Sequence, residues 1–269
     1  MPKQPNSADS GDSVARVAGV KSADRLMTLF EYLAANPRQP FGAIVKDLAL
    51  PNSSAHQLLA TATNRGFLEF DPQTRTYQLG IRVLEIGQAY FRARDLAEIA
   101  LPFMESLGAE LGETVQLAKL DGLWAVHVAV VKSHQPMRLV AEIGMRSPAY
   151  VSGLGKALLS GLSDAELRSR LKAVKLDRFT PNTITDRETL LAELRRVREL
   201  GYAEDNEEYV VGSRCFAVPV CRDSGEVVAA LSVSVPTPRL SDQLVGEILA
   251  KLRETAPAIQ ARLGTLSQL

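Results

Sequence analysis

Two hydrophobic periods divide this chain near residue 97. Before it, almost every apolar stretch has helical spacing. Leu26, Leu29, Phe30 and Leu33 predict a helix over 20–35 that Asn36-Pro37 stops. Phe41, Ile44, Val45 and Leu48 predict a second; Leu50-Pro51-Asn52 interrupts, and Leu58, Leu59 and Ala62 resume the period. Pro51 has no amide to donate, and the side-chain oxygens of Asn52 and Ser53 are of the kind that cap a helix start, so a third helix is predicted from near Ser53 to Gly66. Phe67–Phe70 and Thr76–Leu79 then read as a hairpin around Asp71-Pro72-Gln73-Thr74-Arg75, and Ile81–Ala93 returns to helical spacing. This is the outline of a winged helix-turn-helix at 20–80 followed by a linker helix at 81–96. A helical hairpin packed into a larger core has the same pattern.

From 97 to 269 the period changes. Leu101–Leu111 is helical; Thr114–Leu120, Leu123–Val131 and Met137–Ile143 read as strands, the first two joined by an Asp121-Gly122 turn. Helices return at 155–161, 163–174 and 186–200. Three more strands, 202–207, 214–220 and 227–235, precede a closing helix at 242–263. Antiparallel strands grouped with flanking helices predict an α+β, sensor-like domain. Residues 1–19, rich in Ser, Asp and Pro, are expected to be disordered.

Charge narrows the picture. The 269 residues carry 31 Lys and Arg against 31 Asp and Glu, a formal net charge of zero, so recognition of an anionic partner has to be local. Within 20–80, Lys21, Arg25, Arg38, Lys46, Arg65 and Arg75 nearly balance Asp24, Glu31, Asp47, Glu69 and Asp71. A monomer with so weak a basic face holds phosphates poorly, and a DNA reader built this way is expected to act as a dimer or larger assembly. The candidate DNA contacts are Asn52, Ser53, Ser54, His56 and Gln57 on the second helix of the motif and Arg75 at the wing. No apolar run reaches the length of a membrane span, and the segment before residue 20 has no signal-peptide core. Cys215 and Cys221 are too widely spaced for a CxxC pair, which makes a reduced cytoplasmic setting the default. Three scattered histidines give no metal-site spacing, and no cofactor is expected.

Candidate chemistry lies in the last strands. Along 227–235, Val228, Ala230, Ser232 and Ser234 share one face, opposite Val227, Ala229, Leu231, Val233 and Val235. The preceding strand alternates similarly and puts Cys215 on the hydroxyl side, with Asp205 on the strand before. Ser152-Gly153-Leu154-Gly155-Lys156 enters a helix through two glycines that allow backbone amides to approach a ligand closely. Together these groups suit a small anionic molecule. Alternating Ser on a strand is equally the mark of a solvated face.

Val20-Lys21-Ser22 through Leu29, Leu50-Pro51 through Leu59, Tyr77-Gln78-Leu79-Gly80, Gly155-Lys156-Ala157-Leu158, Gly201-Tyr202 with Asp205 and Glu207-Glu208, and Val227 through Ser234 stand in an order that resembles, over nearly the whole length, the isocitrate lyase regulator (IclR) family of bacterial transcription regulators. The resemblance implies a winged helix-turn-helix, a linker helix and a GAF-like effector domain with an antiparallel sheet, assembled as homodimers or homotetramers on double-stranded operator DNA. It implies a small organic acid held by backbone amides at Gly153 and Leu154 and by the side chains of Asp205, Cys215, Ser232 and Ser234. Departures from the family pattern are Gln57 in place of a frequent Arg, Ala49 in place of a turn glycine, and Ala62 in place of a core leucine. Leu154 stands where a smaller residue is common, and Leu139 and Ser147 fall at pocket-wall positions.

Two rival readings remain. One is an enzyme with Cys215 as nucleophile and His127 or His134 as base, although nothing in the sequence places either histidine beside it. The other keeps the ligand site but acts through protein partners instead of DNA.

Overall fold

The computed structural model describes residues 20–92 and 96–266, so the tail expected at 1–19 lies outside the described residues. The described residues divide into two compact units, 20–92 and 96–266.

The N-terminal unit runs α1 (Lys21–Ala35), β1 (Gln39–Pro40), α2 (Phe41–Asp47), α3 (Asn52–Asn64), β2 (Leu68–Asp71), β3 (Thr76–Leu79) and α4 (Ile81–Arg92). Leu29 and Leu33 of α1 meet Ile44, Leu59, Ala62 and Leu68 in its core, as helical spacing requires. The sequence pattern did not show β1. It is two residues long, pairs Gln39 with Tyr77 and Pro40 with Thr76, and places its proline at the sheet edge where a missing amide costs no ladder bond. The expected capping by Asn52 and Ser53 is also corrected. Pro51, extended at φ −62° and ψ 137°, is the N-cap of α3, and no side chain caps it; Asn52 is already helical. Ala49, in the turn before it, is held at φ 49°, a left-handed conformation that glycine adopts without strain. At the wing, the Gln73 amide and the Thr74 hydroxyl both donate to the Asp71 carboxylate (2.8 and 2.7 Å), fixing the turn that ends at Arg75.

The C-terminal unit runs α5 (Leu96–Leu111), β4 (Thr114–Asp121), β5 (Trp124–Val131), β6 (Arg146–Pro148), α6 (Gly153–Leu159), α7 (Asp164–Leu171), α8 (Arg187–Leu200), β7 (Ala203–Asn206), β8 (Ser213–Cys221), β9 (Val227–Pro236) and α9 (Asp242–Leu266). Its six strands form one antiparallel sheet in the order β6-β5-β4-β9-β8-β7. On one side, Leu117, Phe216, Leu231 and Val233 pack against Met104 and Leu107 of α5 and Ile248 and Leu252 of α9. On the other, Ala118, Ala125, Ala203, Ala217 and Ala230 leave room for Leu154, Ala157 and Leu158 of α6. That layer is tight: a Cβ on Gly155 would lie 2.2 Å from both Cα and O of Ala149, so only glycine fits there.

The strand expected at 137–143 does not form. Those residues run as loop, with Met137, Val140 and Ile143 exposed. The edge strand is instead β6, which pairs Trp124 with Pro148 and Val126 with Arg146. Alternation alone does not make a strand where no neighbour offers a ladder. No helix among the described residues is long and apolar enough to cross a membrane.

Candidate functional site

The α6 side of the sheet carries an ordered polar face. Strand register aligns Asp205, Cys215, Ser234 and Thr114 across β7, β8, β9 and β4. The next row in holds Ala217, Ser232 and Gln116. Ser234 is its hub: its hydroxyl accepts from Gln116 Nε2 at 3.0 Å and lies 2.8 Å from Cys215 Sγ. Ser232, on the same face, is 0% exposed and its Oγ has no hydrogen-bond partner among the described residues. A buried hydroxyl without a partner costs free energy.

The start of α6 closes this face. Ser152 is its N-cap, accepting from the Gly155 amide at 3.1 Å and receiving the Ser147 hydroxyl at 3.2 Å. A Cβ on Gly153 would sit 3.1 Å from the Cys215 carbonyl oxygen and 3.5 Å from the Asp205 nitrogen, so the first helical amides begin directly against β7 and β8. The Leu154 side chain turns into the apolar layer beside Ala217 and Ala230.

One turn further on, Lys156 is buried in an acidic nest. Its Nζ lies 2.5 Å from Glu208 Oε1 and 3.6 Å from Glu193 Oε1. Glu208 in turn donates its amide to Asp205 Oδ1 at 2.7 Å, so the ion pair and the polar row share a turn. Burial, reinforced by the neighbouring Glu208 carboxylate, pushes the Asp205 carboxyl up to about 7 against the hydrogen bonds that favour its charge. Burial pushes the Cys215 thiol up to about 12, with the Asp205 charge adding to it. His127 is pushed down to about 4 by burial.

All four side chains expected at a ligand site, Asp205, Cys215, Ser232 and Ser234, therefore share one covered face, and Gly153 and Leu154 open the helix beside it. Gln116, His127 and Glu208, which sequence reasoning did not assign to a ligand site, lie on or beside this face, and Lys156, named there only within the helix start, proves to be paired with Glu208. Register puts His127 opposite Ala118, on the α6 side, with Nδ1 buried and unpartnered. Gln116 and His127 were visible as polar residues within apolar strands. Leu139 is half-buried in the 132–145 loop, while Ser147 is buried beside Ser152. The groups acting on Cys215 are Asp205, Ser213, Ser234 and Lys156; no histidine is among them. Among the described residues no cluster of His, Cys, Asp and Glu is arranged to hold a metal.

In the N-terminal unit, Ala55, Leu59 and Ala62 of α3 face the core. The opposite face, at helical spacing, exposes Ser53, Gln57, Ala60, Thr61 and Asn64; Asn52 and His56 are exposed and Ser54 is half-buried. His56 is not free: its ring stacks on Phe41 with centroids 4.1 Å apart. Arg75 is exposed at the end of the wing turn, at φ 55°. Ala60, Thr61 and Asn64, at i+7, i+8 and i+11 from Ser53, continue the face beyond the residues first picked out.

A winged helix with an open reading face, carried on the same chain as a sheet domain with a covered polar face, defines a transcription regulator that reads DNA and senses a ligand. The profile described as "IclR helix-turn-helix domain" matches residues 22–72, and "Bacterial transcriptional regulator IclR C-terminal" matches 88–261. The chain belongs to the IclR family. The HTH-type transcriptional repressor AllR of Escherichia coli K12 is 36% identical over 247 residues, 91% of each chain. A crystal structure from Rhodococcus sp. RHA1 superposes with a TM-score of 0.81 at 32% identity, covering 92% of this chain and all of that one. An IclR homologue from Microbacterium hydrocarbonoxydans, complexed with 4-hydroxybenzoate, superposes at 0.76 with 28% identity, covering 89% of this chain and 98% of that one.

Proposed function

We propose that this transcription regulator responds to a small organic acid seated between the start of α6 and the polar face of β7, β8 and β9. The observation that carries the proposal is the Ser232 hydroxyl, buried, without a partner and beside the Ser234–Gln116–Cys215 cluster. The amides of Gly153 and Leu154 precede the internal hydrogen bonds of α6 and are available to an acceptor such as a carboxylate. Asp205, with its carboxyl raised to about 7, is about half protonated at neutral pH, and its protonated form donates a hydrogen bond to the bound anion. The Microbacterium homologue's 4-hydroxybenzoate supports the ligand class.

The DNA contacts are assigned to Asn52, Ser53, Ser54, Gln57 and Arg75, with His56 held against Phe41 and acting at the margin. The domains are taken as 20–80 for DNA reading, 81–96 as linker and 97–269 for effector binding. Ile81, Leu84 and Ile86 on α4 and Met27 on α1 are large apolar side chains left exposed in the single chain, which supports a homodimer or homotetramer on operator DNA. The protein is read as a cytoplasmic regulator without catalysis, since a thiol raised to about 12, with no histidine among the groups acting on it, is a poor nucleophile. The acid shifts DNA affinity by its differential affinity for the two arrangements of the reading domains.

Thermal denaturation of the purified protein against a panel of small organic acids tests this. A bound acid at a hundredfold excess over its dissociation constant stabilises the fold by about 2.7 kcal/mol. One acid class is expected to raise the midpoint in the parent and not in Ser234→Ala. A shift that survives Ser234→Ala overturns the site, and one that leaves operator affinity unchanged overturns the regulatory coupling.

A further inference from the structure

The reading helix has an unusual composition. From Asn52 to Asn64, α3 contains no Lys, Arg, Asp or Glu. Its outward face presents Ser53, Gln57, Ala60, Thr61 and Asn64, and the Gln57 amide bonds nothing within the described residues. Base edges in the major groove are chemically distinct. Guanine, with two acceptors at O6 and N7, is read by Arg or Lys; cytosine, with its N4 donor, is read by Asp or Glu. Adenine, presenting a donor at N6 beside an acceptor at N7, suits the amide of Gln or Asn. The thymine C5-methyl is met by small apolar groups such as Ala or the Thr methyl. The charged readers of guanine and cytosine are missing from this face, Ser53 and Thr61 hydroxyls discriminate little between bases, and both kinds of A·T reader are present.

The cations of this unit sit off the reading face. Arg65, at the C-terminal end of α3, lies over the Phe67 ring at 5.8 Å. Arg38, in the segment before β1, donates to the Gln78 side chain at 3.3 Å. Lys46 closes α2, and Arg75 ends the wing turn. Placed around the helix and not on it, they suit phosphates, which fix register without reading sequence.

We infer that α3 reads an A·T-centred half-site in which Gln57 pairs with an adenine and Ala60 and Thr61 lie against thymine methyls, with affinity supplied by cations outside the helix. The inference rests on the operator-binding function and adds the base identity.

Selection from a randomised DNA duplex library by the full-length protein, at one fixed salt concentration, tests it. The parent, Gln57→Ala and Gln57→Arg are compared, and Gln57 is exposed, so all three are expected to melt together. The parent is expected to enrich duplexes with adenine at one position of each half-site. Gln57→Ala is expected to lose discrimination there by about 5- to 150-fold, the range of a good bidentate base contact. Gln57→Arg is expected to move the preference at that position to guanine. Arg75→Ala, measured on the selected duplex, is expected to weaken binding evenly and lower the salt slope by about one. A G·C pair at the position that responds to residue 57, or an unchanged consensus in Gln57→Ala, overturns the base assignment while leaving operator binding intact. Failure of all three proteins to enrich any sequence overturns operator binding itself, and the base assignment with it.

Discussion

The outer face of α3 and the inner face of β4 and β9 display nearly the same small polar side chains in opposite surroundings. Ser53, Gln57 and Thr61 stand in water, where each hydrogen bond is already made with solvent and folding neither gains nor loses by them. Ser232, Ser234 and Gln116 lie under α6, where water no longer satisfies them and each bond present or missing enters the stability of the chain. A polar group on the exposed face is therefore free to serve recognition alone. On the covered face, the proposed recognition and the stability of the chain depend on the same atoms and pull against each other.

The largest effect is expected where charge is most deeply covered. Lys156→Met leaves the buried Glu208 without its cation, while Glu193 keeps Arg196 at 2.8 Å, and is expected to destabilise the protein by about 3–5 kcal/mol, read from urea midpoints. A loss below about 1 kcal/mol would mean that the acidic nest is hydrated. Next, Ser234→Ala strands the Gln116 amide and is expected to cost about 1–3 kcal/mol even without any acid, along with the affinity for it. Ser232→Ala has the opposite sign. Removing a buried hydroxyl that has no partner is expected to stabilise the ligand-free protein by about 1 kcal/mol while weakening acid binding, which calorimetry on both forms measures. Equal destabilisation by the two serine substitutions would break the distinction between them. The smallest effect belongs to the exposed face: Ser53→Ala and Thr61→Ala are expected within about 0.5 kcal/mol of the parent, with their cost appearing only in DNA binding.

The covered face also has its own pH signature. Asp205 is raised from 3.8 to about 7, so between those values the folded chain keeps a proton that the unfolded chain has released, and stability falls as pH rises. His127 is lowered from 6.5 to about 4, so in that window the unfolded chain takes up a proton that the folded chain refuses, and stability rises with pH. The two slopes oppose each other across the shared window. Asp205→Asn is expected to shift the balance toward a rise in stability up to about pH 6.5, and His127→Phe toward a steeper fall up to about pH 7. Denaturation midpoints between pH 4 and 8 read both; identical profiles for the two variants would contradict the assignment.

Much of the fold was legible because apolar periods report which element a segment forms. The four N-terminal helices, the wing hairpin and β7 to β9 fall close to where spacing puts them. The failures have particular causes. Met137–Ile143 has strand-like residues but no neighbouring edge to pair with, and β1 is too short to have a period. Asn52 and Ser53 have capping chemistry, but the extended backbone at Pro51 starts the helix one residue before they can use it. Within the site, alternation put Ser232 and Ser234 on one face. It left out Gln116, which reaches Ser234 from β4, 118 residues away in sequence, and Lys156, whose partner Glu208 is 52 residues away.

The sequence by itself determined the order of elements, the uncharged outward face of α3 and the alternation that collects hydroxyls on one side of β9, because these depend only on local backbone period. Tertiary structure decided which of the two polar faces meets water. A two-residue alternation is the same for a solvated strand and a covered one, and only the docking of α6 through Gly153 and Gly155, against backbone brought from β7, β8 and Ala149, turned the serine face into a buried one.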